Sequence, residues 1–279
     1  MIDKVELFVV LVLYNTSLED SETYKTIISN KKDIKLKGVV FDNSKKKQST
    51  LGIEKLGDFH YIHDENNPGL AFAYNYALKL ALENNCKWML LLDQDTYFTA
   101  DYFNNLKFED NKDIVAYIPT VKSYSDRVSC ISPSVLHLGG FKAFTEVKKG
   151  IQLNKVSGIN SGTIIDCDFI KSIGGFKEEY PLDMLDHWYF REIYRKNKYV
   201  SVFNSEIFQN LSVQDNFEKN ISIGRYTNFI KVENRFFKTG NVLQYFFYRS
   251  RLVLRLLKQL RFHNKKYFKI TLKTILNFG

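Results

Sequence analysis

Two aspartates separated by one residue follow an uninterrupted apolar run, Trp88 to Leu92. A short apolar run with polar residues at its ends is typical of a buried strand in a parallel sheet. In open α/β sheets, ligands bind in the crevice at the carboxyl ends of such strands. Because residues alternate between the faces of a strand, Asp93 and Asp95 can both point into that crevice, where carboxylates and substrate phosphates bind Mg²⁺ or Mn²⁺. A solvated strand end with a capping aspartate explains the same spacing about equally well.

The segments around this pair have the length and apolar content of strands in an α/β fold. Four of them fall in the first third of the chain, with polar or helical stretches between them: Val5–Tyr14, Lys37–Asp42, Phe59–His63 and Lys87–Asp93. Residues 70–81 place their apolar side chains on one helical face, which predicts a helix packed on the sheet. The predicted fold class is therefore α/β, with a mostly parallel sheet flanked by helices.

The second half of the chain is less regular. It contains predicted strands at Asp113–Val121 and Tyr199–Phe208, a helical or turn segment at Asp183–Lys196, and a Ser-rich segment at Lys122–His137 that is typical of a mobile loop. After about Leu211 the pattern becomes helical and basic. We therefore expect one domain over residues 1–210, with halves that divide near residue 120, and a helical appendage over residues 211–279.

Polar residues follow the first two predicted strands, where they would face the same crevice. Tyr14 and Asn15 follow the first strand, and Asp42 ends the second, where a carboxylate can accept hydrogen bonds from a base or ribose. Asn67 and Gly69 precede the predicted helix, whose first N–H groups could favour a phosphate. Turn chemistry explains Asp42 equally well, and an ordinary helix cap is the commoner explanation of the Asn-Pro-Gly turn. No GxGxxG or Walker A sequence is present, which argues against NAD enzymes and P-loop NTPases.

A later segment combines two acids, a histidine and a tryptophan. Asp186 could act as a general base, with Asp183 and His187 beside it, and Trp188 could offer an apolar face for a sugar. The alternative, which the segment alone favours, makes the acids helix-start residues and Trp188 a core residue.

The basic residues are concentrated at the end of the chain. The net charge is +9, and residues 231–279 contain twelve Lys or Arg and a single acid, Glu233, which leaves about −2 for the rest. The three cysteines are far apart and form no CxxC pair, so we expect a reducing compartment, the cytoplasm, and no structural zinc.

Taken in order, these pieces resemble the family-2 glycosyltransferases, and most closely their rhamnosyltransferase-like and capsular-polysaccharide members. The resemblance covers most of the chain and depends on these segments: Val9–Tyr14, Val39–Ser44, Asn67–Asn75, Met89–Thr96, Asn160–Thr163 and Ile173–Trp188. It implies a GT-A fold and transfer of a sugar, with inversion, from a nucleotide-sugar donor to a saccharide hydroxyl. For the donor it implies dTDP-L-rhamnose first, and otherwise a UDP-sugar such as UDP-galactose.

The resemblance also implies roles for individual residues. Asp186 would be the catalytic base, and Asp93 and Asp95 would hold the metal. The donor would be bound by Tyr14, Asn15, Asp42, Asn67, Gly69, Asn75, Asp93, Gln94 and Asp95, and the acceptor by Ser161, Gly162, Asp183, His187 and Trp188. Family members often place a histidine after the last core strand to assist the Mg²⁺ or Mn²⁺ ion; here Gln209 stands at that place, and its oxygen would bind the ion more weakly.

The basic tail suggests a membrane partner. Arg251, Arg255 and Lys258 recur at helical spacing, and Leu252, Leu256 and Leu260 are predicted on the other side. Such a helix suits an anionic membrane surface, so we expect a lipid-linked acceptor and a peripheral position on the inner face of a bacterial cell membrane. A helix docked on the protein with a solvated basic face is the alternative. Nucleic acid is not expected as a partner, since the aromatics form no recognised RNA-binding pattern. A non-catalytic membrane-binding module with a degenerate transferase core stays open as another function class, and a nucleotidyltransferase is a weaker alternative.

Overall fold

The computed structural model describes residues 7–31, 36–137, 140–143, 148–153, 155–209 and 221–276. Its strands are β1 Leu7–Leu13, β2 Leu36–Asp42, β3 Gly57–His63, β4 Trp88–Asp93, β5 Tyr97–Phe98, β6 Ile114–Ser123, β7 Cys130–Ser132, β8 Ser134–His137, β9 Gly140–Ala143, β10 Gly150–Ile151, β11 Val156–Ser157, β12 Ile164–Asp166 and β13 Tyr199–Gln209. Its helices are α1 Glu22–Asn30, α2 Leu70–Glu83, α3 Ala100–Asn104, α4 Cys167–Ser172, α5 Leu185–Arg195, α6 Ile223–Lys238, α7 Val242–Gln259 and α8 Lys266–Leu276, with a 3₁₀ turn at Ile53–Lys55.

A mixed sheet forms the centre of the first of two compact units, which comprises residues 1–134 and 143–210. The strand order is β10-β13-β6-β12-β4-β1-β2-β3, with β5 paired to β13 and β7 to β6. Strands β1, β2, β3 and β4 are parallel, and β13 is parallel to β6. Because the short β12 is antiparallel to both β4 and β6, all the long strands run the same way. Their carboxyl ends therefore share one edge, as the sequence predicts, and the α/β fold class is confirmed.

The apolar runs explain why β1 and β4 occupy the middle of this sheet. Residues from Phe8 to Leu13 and from Trp88 to Leu92 are buried, so both faces of these strands are covered. Helix α2 packs against β1, β2 and β4 with the apolar face that contains Tyr74, Ala77 and Leu78. The predicted helix over residues 70–81 is thus confirmed.

The prediction of a mobile loop at residues 122–137 is wrong. Strand β7 pairs antiparallel with β6, with Val121 opposite Ser132 and Lys122 opposite Cys130. The carboxylate of Asp126 accepts backbone hydrogen bonds from Val128 and Ser129 at 3.0 Å and closes the turn between the two strands. Serine and proline raise the loop propensity of this segment, but pairing with a long core strand determines its structure.

The second unit comprises residues 135–142 and 211–279 and contains helices α6, α7 and α8. Phe237 stacks on Tyr248 with 4.6 Å between ring centroids. The buried Gln259 donates to the Tyr226 hydroxyl at 2.7 Å, and that hydroxyl pairs with Thr271 at 2.7 Å. Aromatic stacking and a buried polar network thus join the three helices. In the described part of the chain, no helix has both the length and the apolar character needed to cross a bilayer.

The predicted division of α7 into an outer basic face and an opposite apolar face is wrong. Arg255 points inward and forms a two-pronged ion pair with the buried Glu233, at 2.7 and 3.0 Å. Leu252 is fully buried on the same side, whereas Leu260 is half exposed. Arg255 points inward because its partner, Glu233, lies on α6. The spacing of residues within α7 carries no information about that partner.

Candidate active site

Three carboxylates from two separate segments share one electrostatic environment. Asp93 ends β4, Asp95 follows two residues later, and Asp186 lies in the first turn of α5. Burial raises the pKa of Asp93 to about 6, and the negative charges of Asp95 and, to a smaller extent, Asp186 add to this rise. The negative charge of Asp186 therefore contributes to the environment of the carboxylates at the end of β4.

Asp93 is held in place by a hydroxyl from the segment before β12. Ser161, which is fully buried, donates to Asp93 Oδ2 at 2.5 Å. Hydrogen bonds from Ser161 and Gln209 lower the pKa of Asp93 and so oppose the larger effect of burial. Ser161, predicted to bind the acceptor, therefore acts in this structure by orienting a carboxylate.

Asp95 is exposed, and the side chain of Gln209 approaches it. Gln209, at the end of β13, donates through Nε2 to Asp95 Oδ1 at 2.8 Å. The other amide atom, Oε1, is buried and has no hydrogen-bond partner within the described residues. A buried amide oxygen without a donor is under-satisfied, and a hard cation beside a carboxylate would satisfy it.

Asp186 belongs to a second hydrogen-bonded group, at the start of α5. Its Oδ1 accepts from the backbone N–H of His187 at 2.7 Å. The ring Nδ1 of His187 lies 2.6 Å from Ser157 Oγ, and burial lowers the pKa of His187 while Asp186 opposes this effect. The imidazole is therefore neutral near pH 7. Ser157 was not identified from the sequence, since no local pattern links β11 to α5.

The Asn-Pro-Gly turn before α2 packs closely against the loop that leads to α5. Asn67 and Gly69 have φ angles of 49° and 94°, in the left-handed region. A Cβ on Gly69 would lie 2.4 Å from the carbonyl oxygen of Pro181, which accepts the Leu70 N–H at 2.6 Å. Only glycine allows this approach. The turn thereby brings the exposed Asn67 into the neighbourhood of the segment that carries Asp183.

A reciprocal pair of hydrogen bonds joins the loops after β1 and β4. The Tyr14 N–H donates to Gln94 Oε1 at 2.7 Å, and Gln94 Nε2 donates to the Tyr14 carbonyl at 3.2 Å. The N–H of Asn15 donates to Ser44 Oγ at 2.7 Å. The structure thus brings these predicted donor-site residues to the same edge of the sheet. Half of the Tyr14 surface is exposed, so its ring is open to a ligand.

Asp42 is fully buried within its own loop. Its oxygens accept from the backbone N–H groups of Ser44 and Gln48 at 2.8 and 2.9 Å and from the Tyr61 hydroxyl at 2.5 Å. Burial, followed by the Asp42 hydrogen bond, raises the pKa of Tyr61. Asp42 thus shapes the loop after β2, and its direct contact with a nucleobase stays a prediction. Tyr61 could have been found from the sequence by pairing β2 with β3 in parallel.

Three other site assignments need correction. Asn75 uses its whole amide on the backbone of Phe176, accepting at 2.7 Å and donating at 2.8 Å, so it is a structural clamp. Gly162 is buried, and a Cβ there would lie 2.8 Å from Ile207 Cδ1. Trp188 is 5% exposed and stacks on Tyr180, so it offers no face to a sugar. Each of these residues supports an element instead of lining the crevice.

Comparison with known proteins gives a family match over more than half of the chain. The family described as Glycosyl transferase family 2 matches residues 8–170. The dTDP-rhamnosyl transferase RfbF of Shigella flexneri is 24% identical over 202 residues, which cover 66% of this chain and 62% of RfbF, less than two thirds of its length.

Solved structures give weaker likenesses. The inositol-1-phosphate CTP transferase of T. maritima has a TM-score of 0.44 at 12% identity, over 82% of this chain and 96% of the other. A197 from STIV has a TM-score of 0.41 at 12% identity, over 73% and 81%. The assignment depends on the family match, which spans more than half of the residues and includes the Asp93 and Asp95 pair. The chain belongs to glycosyl transferase family 2.

Proposed function

We propose that this chain transfers a sugar, with inversion, from a nucleoside-diphosphate donor to a hydroxyl group of a saccharide. The observation that carries the proposal is the carboxylate pair Asp93 and Asp95 at the carboxyl end of β4, whose surroundings include the negative charge of Asp186. A single displacement requires one group that neutralises the departing diphosphate and one base that accepts the proton of the acceptor hydroxyl. No covalent intermediate is needed, so a second nucleophilic carboxylate is unnecessary.

The proposed chemistry proceeds as follows. An acceptor hydroxyl gives its proton to an Asp186 carboxylate oxygen while its oxygen attacks the anomeric carbon of the donor sugar. The bond from that carbon to the phosphate oxygen breaks, and its electron pair leaves with the nucleoside diphosphate. The ring of His187, fixed by Ser157, is neutral near pH 7, and the His187 backbone N–H orients the Asp186 carboxylate by donating to Oδ1.

We test the base with Asp186→Asn, which preserves size and removes the proton acceptor. Release of nucleoside diphosphate in the presence of an acceptor should fall about 10²- to 10⁴-fold, the usual contribution of a positioned base. Asp168→Asn, at an exposed position in the first turn of α4, is the matched control and should retain the wild-type rate. A wild-type rate in the Asp186 variant would remove its role. If the unaltered protein releases no nucleoside diphosphate from any donor tested, the non-catalytic alternative is favoured.

For the donor, we propose dTDP-L-rhamnose, with a UDP-sugar such as UDP-galactose as the second choice. The name of the RfbF relative supports this order. A thermal-shift series with nucleotide sugars tests it, because a ligand that binds only the folded state raises the melting temperature. A larger shift with UDP-galactose than with dTDP-L-rhamnose would reverse the order.

A divalent ion, Mg²⁺ or Mn²⁺, fits the residues at this edge. Within the described residues, no group of three or more His, Cys, Asp or Glu side chains is arranged for a metal. The candidate ligands are instead Asp95 and Gln209, with Asp93 two residues before Asp95. The Oε1 atom of Gln209 is buried and has no hydrogen-bond partner among the described residues. A bound ion would neutralise charge on the departing diphosphate.

Gln209→Ala tests these candidate ligands by a measurement of metal binding, which does not depend on the transfer rate. The affinity for Mn²⁺ in the presence of a nucleoside diphosphate, measured by calorimetry, should fall about tenfold, as expected for loss of one neutral oxygen ligand. Gln244→Ala, on helix α7, should leave the affinity unchanged. Equal affinities in the wild type and the Gln209 variant would exclude Gln209 as a ligand.

For the acceptor, we propose a lipid-linked saccharide of surface-polysaccharide (capsule or O-antigen) assembly, reached from the inner face of the bacterial cell membrane. The positive charge of residues 231–279 supports this proposal, since this segment contains twelve basic residues and a single acid. Anionic lipid attracts such segments.

A further inference from the structure

Helix α1 supplies three hydroxyl groups to the backbone that follows β4. Ser21 is the N-cap of this helix, and Thr23 and Thr26 lie in its first turns. All three side chains are buried, Thr23 completely. Because a buried hydroxyl without a hydrogen bond is costly, its partner determines how the helix packs. Here the partners are backbone atoms of residues 93–96, the segment that carries Asp95.

The hydroxyl of Thr23 joins the two sides of Asp95. Its oxygen is within hydrogen-bond distance of the Asp93 carbonyl and lies 3.1 Å from the Thr96 carbonyl. It also accepts the Thr96 N–H at 3.0 Å. A hydroxyl has one proton to donate, so it bonds to one carbonyl at a time, while the N–H of the fully buried Thr96 has this oxygen as its acceptor. One side chain thus ties together the backbone before and after Asp95.

The other two hydroxyls extend this attachment along the segment. Ser21 Oγ donates to the Gln94 carbonyl at 2.8 Å, and the Thr23 N–H donates to the same carbonyl at 3.2 Å. Thr26 Oγ1 accepts the Phe98 N–H at 3.1 Å. These contacts use backbone groups of the segment, so they fix its path and leave its carboxylates available to a ligand.

The position of the Asp95 carboxylate depends on this attachment. Asp95 is exposed, and in the described part of the chain its carboxylate receives one hydrogen bond, from Gln209. With so few contacts of its own, the side chain lies where its backbone places it. Groups that orient a metal ligand typically change metal affinity or activity by about 10- to 100-fold.

We propose that α1 is the positioning element of the proposed metal site and that Thr23 is its central residue. Through the backbone of residues 93–96, Thr23 holds Asp95 where the divalent ion and the donor diphosphate require a carboxylate. Thr23 is buried and bonded to backbone atoms, so it acts through Asp95 instead of binding a ligand itself. The inference rests on the proposed function and adds to it the element that keeps its metal site in place.

The test compares Thr23→Val, which keeps the side-chain shape and removes the hydroxyl, with Thr23→Ser, which keeps the hydroxyl. The Mn²⁺ affinity in the presence of a nucleoside diphosphate, measured by calorimetry, should fall about 10- to 100-fold in the valine variant. It should stay near the wild-type value in the serine variant. Hydrogen exchange at the Thr96 amide, measured by NMR, should be faster in the valine variant, because this N–H has lost its acceptor.

Thr271→Val is the matched control. Thr271 is also a fully buried helical threonine whose hydroxyl is hydrogen-bonded, to Tyr226 at 2.7 Å, and it belongs to the second unit. This variant should lose stability in urea and keep the wild-type Mn²⁺ affinity. A purely structural role of Thr23 would give that same pattern in Thr23→Val, and this result would overturn the proposal. If Thr23→Val does not fold, Ser21→Ala, which removes the bond to the Gln94 carbonyl, takes its place, and a wild-type affinity in that variant would likewise overturn it.

The outcomes also separate this inference from the proposed function. A wild-type protein that binds Mn²⁺ but transfers no sugar would contradict the proposed function, while the comparison of Thr23→Val with Thr23→Ser would still decide the inference. Equal losses of affinity in the valine and serine variants would overturn the inference, because the hydroxyl would not be the cause. A wild-type protein that binds no Mn²⁺ in the presence of any nucleoside diphosphate would overturn it too, whatever its transfer rate.

Discussion

The neutral state of His187 makes the protein sensitive to acid in a defined range. Burial lowers the pKa of this imidazole from its ordinary 6.5, and Asp186 only partly opposes the effect. The unfolded chain therefore binds a proton at His187 at a higher pH than the folded chain does. Stability is complete above pH 6.5 and falls as the pH drops below it, by no more than about 1.4 kcal/mol per pH unit.

His187→Gln isolates this contribution. A glutamine can keep a hydrogen bond to Ser157 and does not titrate, so the wild type should lose stability relative to the variant below pH 6.5. The measurement is the free energy of urea unfolding between pH 5 and pH 8, roughly the range over which an ordinary histidine titrates. His263→Gln, at an exposed position, is the control, and its pH profile should parallel that of the wild type. Parallel profiles for His187→Gln and wild type would contradict the expected neutral imidazole.

At this scale, the sequence is most informative about residues whose chemistry is local. The spacing of Asp93 and Asp95 after an apolar run is enough to predict their place at a strand end. Asn75 and Trp188 are predicted wrongly because their partners, Phe176 and Tyr180, come from other segments and decide where the polar atoms and rings point. The Gln209 contact with Asp95 is likewise non-local, spanning 114 residues.

Helix α2 positions the loop that leads to the proposed base, and Asn75 is the residue that joins them. Asn75→Ala would leave the buried backbone groups of Phe176 without partners, at a cost of about 2 to 4 kcal/mol. We also expect slower sugar transfer, because residues 177–184 connect this clamp to Asp186. Urea unfolding and the transfer rate measure the two effects.

The matched change on the same helix is Asn84→Ala. Asn84 donates to the Leu80 carbonyl at 2.9 Å from an exposed position at the helix end, so its loss should cost less than about 1 kcal/mol. Equal stability losses in the Asn75 and Asn84 variants would show that the hydrogen bonds of Asn75 to Phe176 stabilise the fold no more than an exposed helix-end hydrogen bond does.

The helices and strands that can be predicted from the sequence are those whose apolar residues follow a single clear pattern. Strands β1 and β4 are apolar throughout, and α2 has a clear apolar face, so burial alone defines them. The hairpin of β6 and β7 could not be recognised from its serines, since its register depends on pairing across the turn. The inner face of α7 depends on Glu233 in another helix, and a pattern within one helix cannot show it.

At the scale of the whole molecule, the net charge is unevenly divided, because residues 231–279 contain twelve basic residues and one acid. The first unit holds the carboxylates Asp93, Asp95 and Asp186, and the second holds the twelve basic residues after residue 230. The proposed nucleotide-sugar donor is itself an anion, so a cation beside Asp93 and Asp95 would favour its binding. The excess of basic residues lies in the helical unit, so any attraction of an anionic partner to this unit should weaken as salt is raised.

The helical unit depends on one buried ion pair, which gives the last prediction. Glu233 is 3% exposed, and Arg255 is its two-pronged partner. Arg255→Leu leaves a buried carboxylate without its cation and should lower the free energy of unfolding by about 3 to 5 kcal/mol. Far-UV circular dichroism follows all the helices, including α6, α7 and α8, whereas the fluorescence of Trp88 and Trp188 follows the first unit, where both tryptophans lie. An unfolding transition seen by dichroism and not by fluorescence therefore reports on the helical unit.

The double variant Glu233→Leu with Arg255→Leu distinguishes loss of the pair from loss of packing. Replacing both charges by apolar side chains removes the uncompensated carboxylate, so most of the lost stability should return in the urea midpoint of the dichroism signal. A double variant as unstable as Arg255→Leu would mean that the contacts of the arginine, such as its packing at 5.6 Å over the Phe229 ring, stabilise the unit instead of its charge. Recovery would instead show that the buried contacts of Tyr248, Leu252 and Gln259 suffice to stabilise the packing of α7 without the ion pair.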